Sequence, residues 1–240
     1  RPDMPMPELK GGLIPDKAWK QRNREEAWLI GDTLNSGIGQ GFVLATPIQL
    51  AVMTARLATG RAIEARILRA ENGQPVPVAE APPLGIDERH LDYVRAGMDA
   101  VVNTKRGTAN RSRIADEGNR LAGKTGTSQV RNITAAERAQ GVFKNAQLPW
   151  HRRDHALFVG YAPFEAPRLA VAVVVEHGGG GSTAAAPVAR DIIMQGLWNG
   201  PPPLDAWPWG QRPERPVPAP SPRPETRPAP PLASGRRVPT

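Results

Sequence analysis

The sequence predicts an α+β domain, an antiparallel sheet flanked by helices, followed by a disordered proline-rich tail. Three observations carry this expectation. Two apolar runs, 155–164 and 169–176, are separated only by a turn at Ala166-Pro167-Arg168. That suits a hairpin and is too short for the crossover a parallel pair needs. Two capped stretches with apolar residues at helical spacing precede them. Finally, 14 of the 27 prolines fall in residues 201–240, a composition that cannot bury enough apolar surface to order itself. The folded part is therefore placed at residues 1–199 and the Pro/Arg-rich tail at 200–240.

Residues 1–45 are rich in glycine, proline and charge, and residues 1–20 read as a loop in mid-course. The chain is accordingly expected to be a fragment of a longer protein, with a part preceding Arg1. Gly11-Gly12-Leu13-Ile14-Pro15 is a turn. Gly37-Ile38-Gly39-Gln40-Gly41 lacks the Lys-Ser/Thr ending of a phosphate-binding loop, so it reads as a tight structural loop beside a site. Thr46, Pro47 and Gln49 then open a helix with an N-cap, a proline at its first position and a capping box. Leu50, Met53, Thr54 and Leu57 form its stripe, and Gly60 stops it. A short strand is expected at 65–68 and a proline-rich connection at 74–85. Asp87 caps a second helix, striped by Leu91, Val94, Met98, Val101 and Val102 and ending near Asn103. A turn at 104–109 and a polar loop at 110–120 lead onward.

Residues 121–130 are the centre of interest. In a strand, alternate side chains share a face, so Thr125 and Thr127 point one way and Lys124 the other, with Gly126 bare between them. On an exposed edge, such a segment binds an extended peptide by strand addition and holds a carboxylate near two hydroxyls and a cation. An ordinary polar turn is the alternative. The polar insertion 131–154 is expected to form a flap or rim. The strands at 155–164 and 169–176 are apolar on both faces, so both faces should be covered. The glycine run 178–181 reads as a flexible connector to a helix over 183–197. Its small face, Ala185, Ala189 and Gly196, is expected to lie on Ala170 and Ala172, with Arg190 and Asp191 facing away. Trp207 and Trp209 are placed to anchor the start of the tail.

Composition excludes several chemistries. Cysteine is absent, which removes disulfides and thiolate metal ligands. His151 and His155 come nearest to a metal-ligand pair, but Arg152, Arg153 and Asp154 lie between them in a loop, so no metal or other cofactor is expected. The net charge of +8 comes with no basic–aromatic interleaving and no nucleic-acid motif, so no nucleic-acid partner is expected. The longest apolar run, 169–175, is far short of the ~20 residues that span a bilayer.

The order loop, helix, helix, lysine–threonine strand, hairpin, closing helix resembles the C-terminal half of the penicillin-recognising serine transpeptidase fold, the serine β-lactamase-like fold. That family works with S-x-x-K, S-x-N (or S-x-D) and K-[ST]-G motifs. Lys124-Thr125-Gly126-Thr127 is similar to the third. Gly39-Gln40-Gly41 with Thr46-Pro47-Ile48-Gln49-Leu50-Ala51 resembles a stretch of class B penicillin-binding proteins, as does the strand around Phe158-Val159-Gly160-Tyr161. Residues 173–190, with His177-Gly178-Gly179-Gly180-Gly181-Ser182, resemble the elongation-type branch, the penicillin-binding protein 2 group.

The resemblance implies peptidoglycan D,D-transpeptidation, in which a serine attacks the D-Ala-D-Ala bond of a stem peptide and an amine resolves the acyl-enzyme. β-Lactams would acylate the same serine. Lys124 would supply a positive field beside the S-x-N serine and the substrate carboxylate. The Thr125 and Thr127 hydroxyls would hold that carboxylate, with Gly126 completing the substrate-binding strand, and the Thr127 N–H would donate to the oxyanion. The implied partners are stem peptides, β-lactams and a membrane glycosyltransferase of the elongation machinery. The implied location is the periplasmic face of the inner membrane, with an upstream anchor. The departure is that no serine here opens an S-x-x-K, S-x-N or S-x-D motif. The nucleophile is thus expected upstream, and this chain alone should be inactive. A division-type enzyme and a non-catalytic protein of the same fold remain as alternatives.

Overall fold

The computed structural model describes residue 4, residues 6–131 and residues 133–213. The segment 214–240, most of the expected tail, lies outside the described residues. Two short helices come first, α1 (Lys17–Arg24) and α2 (Ile30–Gly37), in a region the sequence reads as loop. Asp16 caps α1, its Oδ1 accepting from the Trp19 N–H at 2.6 Å. The buried Lys20 side chain donates to Asp32 of α2 at 2.7 Å, which ties the two helices together. The turn at residues 11–15 is drawn into an antiparallel bridge between Leu13 and Leu44.

Helix α3 (Pro47–Thr59) follows with the expected box. The Thr46 N–H donates to Gln49 Oε1 at 2.9 Å, and the Gln49 N–H donates back to Thr46 Oγ1 at 3.3 Å. Gly60 ends it in the left-handed region at φ 69°, a conformation glycine adopts at no steric cost. The expected strand at 65–68 is absent. A two-residue hairpin, β1 (Ala70–Glu71) and β2 (Gln74–Pro75), stands just after it. Asn72 and Gly73 turn it with φ of 49° and 79°, as an Asn-Gly hairpin requires. Helix α4 (Glu88–Asn103) buries Leu91, Met98 and Val102, while Val94 stays at the surface.

The main sheet is antiparallel and ordered β3-β4-β5: β3 (Ala122–Ser128), β4 (His155–Ala162) and β5 (Leu169–Val175). Between β3 and β4 the insertion carries α5 (Ala135–Gln140) and two 3₁₀ turns. A single π-type turn, Gly181–Ala185, leads into α6 (Ala186–Trp198).

The two sheet faces carry different cores. On one, Phe158 and Ala156 of β4 meet Ala185, Ala189, Ile193 and Met194, with Val171 and Val173 of β5 packed against them. On the other, Ala122 and Tyr161 meet Ala58 of α3 and Met98 of α4, with Ala170 alongside. This corrects the expected partner of α6: the helix lies on the Val171/Val173 face, and the small face at Ala170 accommodates α3 and α4. Gly196 still brings α6 close, since a Cβ there would stand 2.7 Å from Leu169 Cδ1.

Arg190 is also corrected. It is 5% exposed, not turned outward, because residues past 199 cover it. Its guanidinium lies over the Trp207 ring at 4.8 Å and donates to Gln211 Oε1 at 2.5 Å. The Ala115 N–H donates to Ala206 O at 2.8 Å, and Pro208 is fully buried. Ordered packing thus runs past the expected boundary to Gln211. Trp207 anchors it, whereas Trp209 is 86% exposed.

Candidate active site

Strand β3 lies at the end of the sheet order, so one of its edges is free of strand partners. Its register places Lys124 opposite Val159, Thr125 opposite Phe158, Gly126 opposite Leu157 and Thr127 opposite Ala156. Opposed residues share a face. The two threonines therefore lie on the α6 face, and Lys124 on the α3/α4 face, as the alternation predicts. Lys124 and Thr127 are exposed, while Thr125 and Gly126 are half-buried.

The free edge can be read from two hydrogen bonds. Gln40 Nε2 donates to the Thr127 carbonyl at 2.8 Å, and Lys124 Nζ donates to the Thr125 carbonyl at 2.8 Å. Neither donor belongs to β4, so both carbonyls point away from it. In an antiparallel ladder the N–H and C=O of one residue project to the same side. The Thr127 N–H therefore also faces the open edge. Two hydroxyls, an ammonium and an outward N–H are brought to one stretch of strand.

Three neighbours build this edge; the 37–41 loop is expected beside a site from the sequence, but none of the three residues is singled out there. Gln40 sits between Gly39 and Gly41, both at φ 72°, and its N–H donates to the Asn35 carbonyl at the end of α2. The tight-loop reading of 37–41 thus gains a partner 87 residues away. The second neighbour is Thr108, whose Oγ1 lies 2.9 Å from Thr125 Oγ1. It is placed by the turn after α4, where a Cβ on Gly107 would stand 2.1 Å from the Val101 carbonyl.

The third is Gly181. A Cβ there would meet the Leu157 carbonyl at 2.3 Å and the Gly126 carbonyl and nitrogen at 2.6 and 3.0 Å. The glycine run is therefore more than a connector: one of its members is buried against the backbone of β3 and β4. A Cβ on Gly126 itself would meet only Leu157 Cβ closely, at 3.2 Å.

Electrostatics bears on the loop that carries Gln40. Asp32 is held below the usual carboxylate range, first by the hydrogen bond from Lys20 and then by the Leu29 N–H. Its ionised form therefore stabilises the α1–α2 clasp fully above the ordinary value of 3.8, and the contribution is lost only as pH falls through the lower folded value. Trp28, whose indole N–H donates to Thr33 Oγ1 in α2, is a local reporter. Its NMR indole signal is expected to hold from pH 7 down to about 4 and to shift below that. A shift centred near pH 6 would contradict the assignment to Asp32.

Among the described residues no cluster of three His, Asp or Glu side chains is arranged to hold a metal. His155 and His177 do meet, with ring centroids 4.6 Å apart, but the His177 N–H donates to His155 Nδ1 and the His177 ring bonds the Arg153 carbonyl through Nδ1. The pair fastens the insertion to the turn after β5.

Comparison with known proteins agrees with this geometry. Residues 6–194 match the family model of the penicillin binding protein transpeptidase domain. The chain is 38% identical over 186 residues to the peptidoglycan D,D-transpeptidase MrdA of Haemophilus influenzae, covering 75% of this chain and 28% of that protein. It is 37% identical to the protein of that name from Acinetobacter baumannii, covering 75% and 26%. The chain thus spans little more than a quarter of the length of these relatives. Among solved structures, Pseudomonas aeruginosa PBP2 in complex with WCK 5153 superposes with a TM-score of 0.66 at 37% identity, over 88% of this chain and 42% of that one. The complex between PBP2 and MreC from Helicobacter pylori gives 0.65 at 30%, over 82% and 32%. By sequence and by fold, the chain belongs to the penicillin-binding-protein transpeptidase family.

Proposed function

We propose that this chain is the C-terminal part of an elongation-type peptidoglycan D,D-transpeptidase, and that β3 is the substrate-side wall of its acyl-transfer site. The supporting observation is the open edge of β3, where Lys124, the Thr125 and Thr127 hydroxyls and the outward Thr127 N–H converge within a family-matching chain. In this reading the hydroxyls bind the terminal carboxylate of a stem peptide, and Lys124 supplies positive charge beside it and beside the S-x-N serine. The Thr127 N–H donates to the oxyanion that forms when the carbonyl is attacked. Losing one such donor typically costs about 10²–10³ in rate.

The serine nucleophile and its lysine base come from chain upstream of residue 1. Two observations support this placement. The sequence has no S-x-x-K. Ile30 and Leu34 of α2, with Ile38 just after it, are 82%, 67% and 74% exposed, an apolar surface suited to being covered. The elongation assignment rests on the MrdA and PBP2 relatives. The transpeptidase domain of Burkholderia pseudomallei penicillin-binding protein 3 matches at 22% identity, a likeness of fold.

Stem peptides are then donor and acceptor, β-lactams acylate the serine, and a membrane glycosyltransferase of the elongation machinery supplies the glycan. A protein like the MreC bound to the Helicobacter relative is a further candidate partner. The site works at the periplasmic face of the inner membrane, with the anchor in the upstream part. Among the described residues no helix is long and apolar enough to cross a membrane. The test is labelling of the full-length protein by a fluorescent penicillin. Covalent label on a single serine is expected; folded full-length protein that takes no label would sink the proposal.

A further inference from the structure

Two histidines join the insertion between β3 and β4 to the turn that follows β5. The His177 N–H donates to His155 Nδ1 at 2.9 Å. A backbone N–H only donates, so His155 Nδ1 carries a lone pair, and the ring is neutral with its proton on Nε2. His177 Nδ1 lies 2.8 Å from the Arg153 carbonyl. A carbonyl only accepts, so that nitrogen carries a proton. The two rings stand 4.6 Å apart, and Trp150 meets His177 in a T-shaped contact at 4.4 Å. Beside them the Gly179 N–H donates to the Asp154 carbonyl at 2.9 Å. His177 itself is at φ 54°, a left-handed conformation that a non-glycine residue holds where its surroundings impose it.

Both partners lead to β3. His155 begins β4 and stands opposite Ser128, the last residue of β3. From His177 the chain runs through Gly178, Gly179 and Gly180 to Gly181, which is buried against the backbone of Leu157 and Gly126. The charged groups around the pair have other commitments. Asn145 donates to the Asp154 carboxylate at 3.1 Å, whose charge acts on Arg131. Arg152 acts on Glu137, Arg153 donates to the Leu148 carbonyl at 3.0 Å, and His151 and Glu176 are exposed. A proton arriving at His155 Nδ1 would turn that acceptor into a donor facing another donor, so the bond from His177 is lost. We propose that His155 and His177 form a pH-sensitive latch. While His155 is neutral, the latch holds the insertion and the turn at Gly181 in place behind β3; when His155 takes a proton, the latch opens and acylation slows. His155 is thus a positioning residue that acts through His177 and Gly181. The effect on acylation rests on the acyl-transfer reading, whereas the opening of the latch does not.

The test uses the full-length protein and follows acylation by a fluorescent penicillin from about pH 7.5 to about pH 5.5, a span in which an ordinary histidine changes charge. His155→Asn keeps an acceptor oxygen near the place of Nδ1 and does not titrate. Its rate is expected to stay close to wild type at the upper end. At the lower end the wild type is expected to fall to about one fifth of the variant's rate, the worth of one ordinary hydrogen bond. His155→Phe, which has no acceptor, is expected to be slow at both ends. Dividing the wild-type rate by that of His155→Asn at each pH cancels the titration of groups the two proteins share. The Trp150 indole NMR signal reads the latch without the reaction, and is expected to move with pH in the wild type and to hold in His155→Asn. A ratio that stays flat overturns the proposal, as does a Trp150 signal that is still in the wild type or moves equally in both. Folded wild-type protein that takes no label at any pH defeats the acyl-transfer reading, and the Trp150 signal then decides the latch by itself.

Discussion

Replacing Lys124 with alanine in the full-length protein is expected to slow acylation by penicillin about 10²–10³-fold, the range for removing one positioned electrostatic group from an acyl-transfer site. Its melting temperature should stay close to wild type. The two halves of that expectation come from the same geometry. Lys124 is exposed, and its ammonium donates to the carbonyl of its own neighbour, Thr125, at 2.8 Å. Surface substitutions of that kind usually change stability by no more than about 0.5 kcal/mol. An ammonium carries three donors, and that bond occupies one, leaving charge and donors for a substrate carboxylate and a neighbouring hydroxyl. Stopped-flow labelling with a fluorescent penicillin, alongside a thermal melt, measures both. Normal acylation by a well-folded variant would remove the role assigned to Lys124.

Gly181→Ala should damage the same reaction from behind. Its new methyl would lie 2.3 Å from the Leu157 carbonyl and 2.6 Å from that of Gly126. Both are backbone atoms paired in the sheet, so neither can rotate away as a side chain would. Overpacking of this kind costs about 1–3 kcal/mol, and relief requires β3 and the π-type turn to separate. The oxyanion donor is one residue from the point of contact. A displacement approaching 1 Å costs on the order of 10²-fold in an oriented reaction. The expected result is a lowered melting temperature together with an acylation rate reduced about 10²-fold. Gly178→Ala is a useful contrast. Its Cβ would press on Val175, at 2.8 Å from a movable Cγ1, away from β3, so it should lose stability with a much smaller loss of rate. Equal rate losses in the two variants would argue against Gly181 acting through the position of β3.

What the sequence discloses divides along physical lines. The caps of α3 are local signals: Thr46, Pro47, Gln49 and Gly60 each act within one turn, and each stands where expected. The hairpin of β4 and β5 was legible because two apolar runs and a short turn leave little choice of topology. The faces of β3 followed from strand alternation alone. Contacts between distant segments were another matter. Gln40 and Thr127 are 87 residues apart, and a helical wheel turns Arg190 outward unless Trp207 and Gln211 are known to cover it. Helices α1 and α2 were missed because at eight residues each they are too short to show a periodic stripe, and tertiary ties such as Lys20–Asp32 hold them. The hairpin turn at Asn72-Gly73 had a local signal of its own, which the surrounding prolines obscured.

The clamp of Arg190, Trp207 and Gln211 decides where further material can be attached. Gln211 Nε2 also donates to the Arg111 carbonyl at 2.7 Å, so the segment is stitched to α6 and to the turn before β3 at once. Both lie on the side of the sheet opposite the face that carries Lys124. A fluorescent protein or affinity handle joined after Pro213 is thus delivered on the α6 side of the sheet, the face that also carries the Thr125 and Thr127 side chains, with its root held by Gln211. Cutting the gene at residue 199 instead would strip a buried guanidinium of its cover, giving a product prone to aggregate during purification.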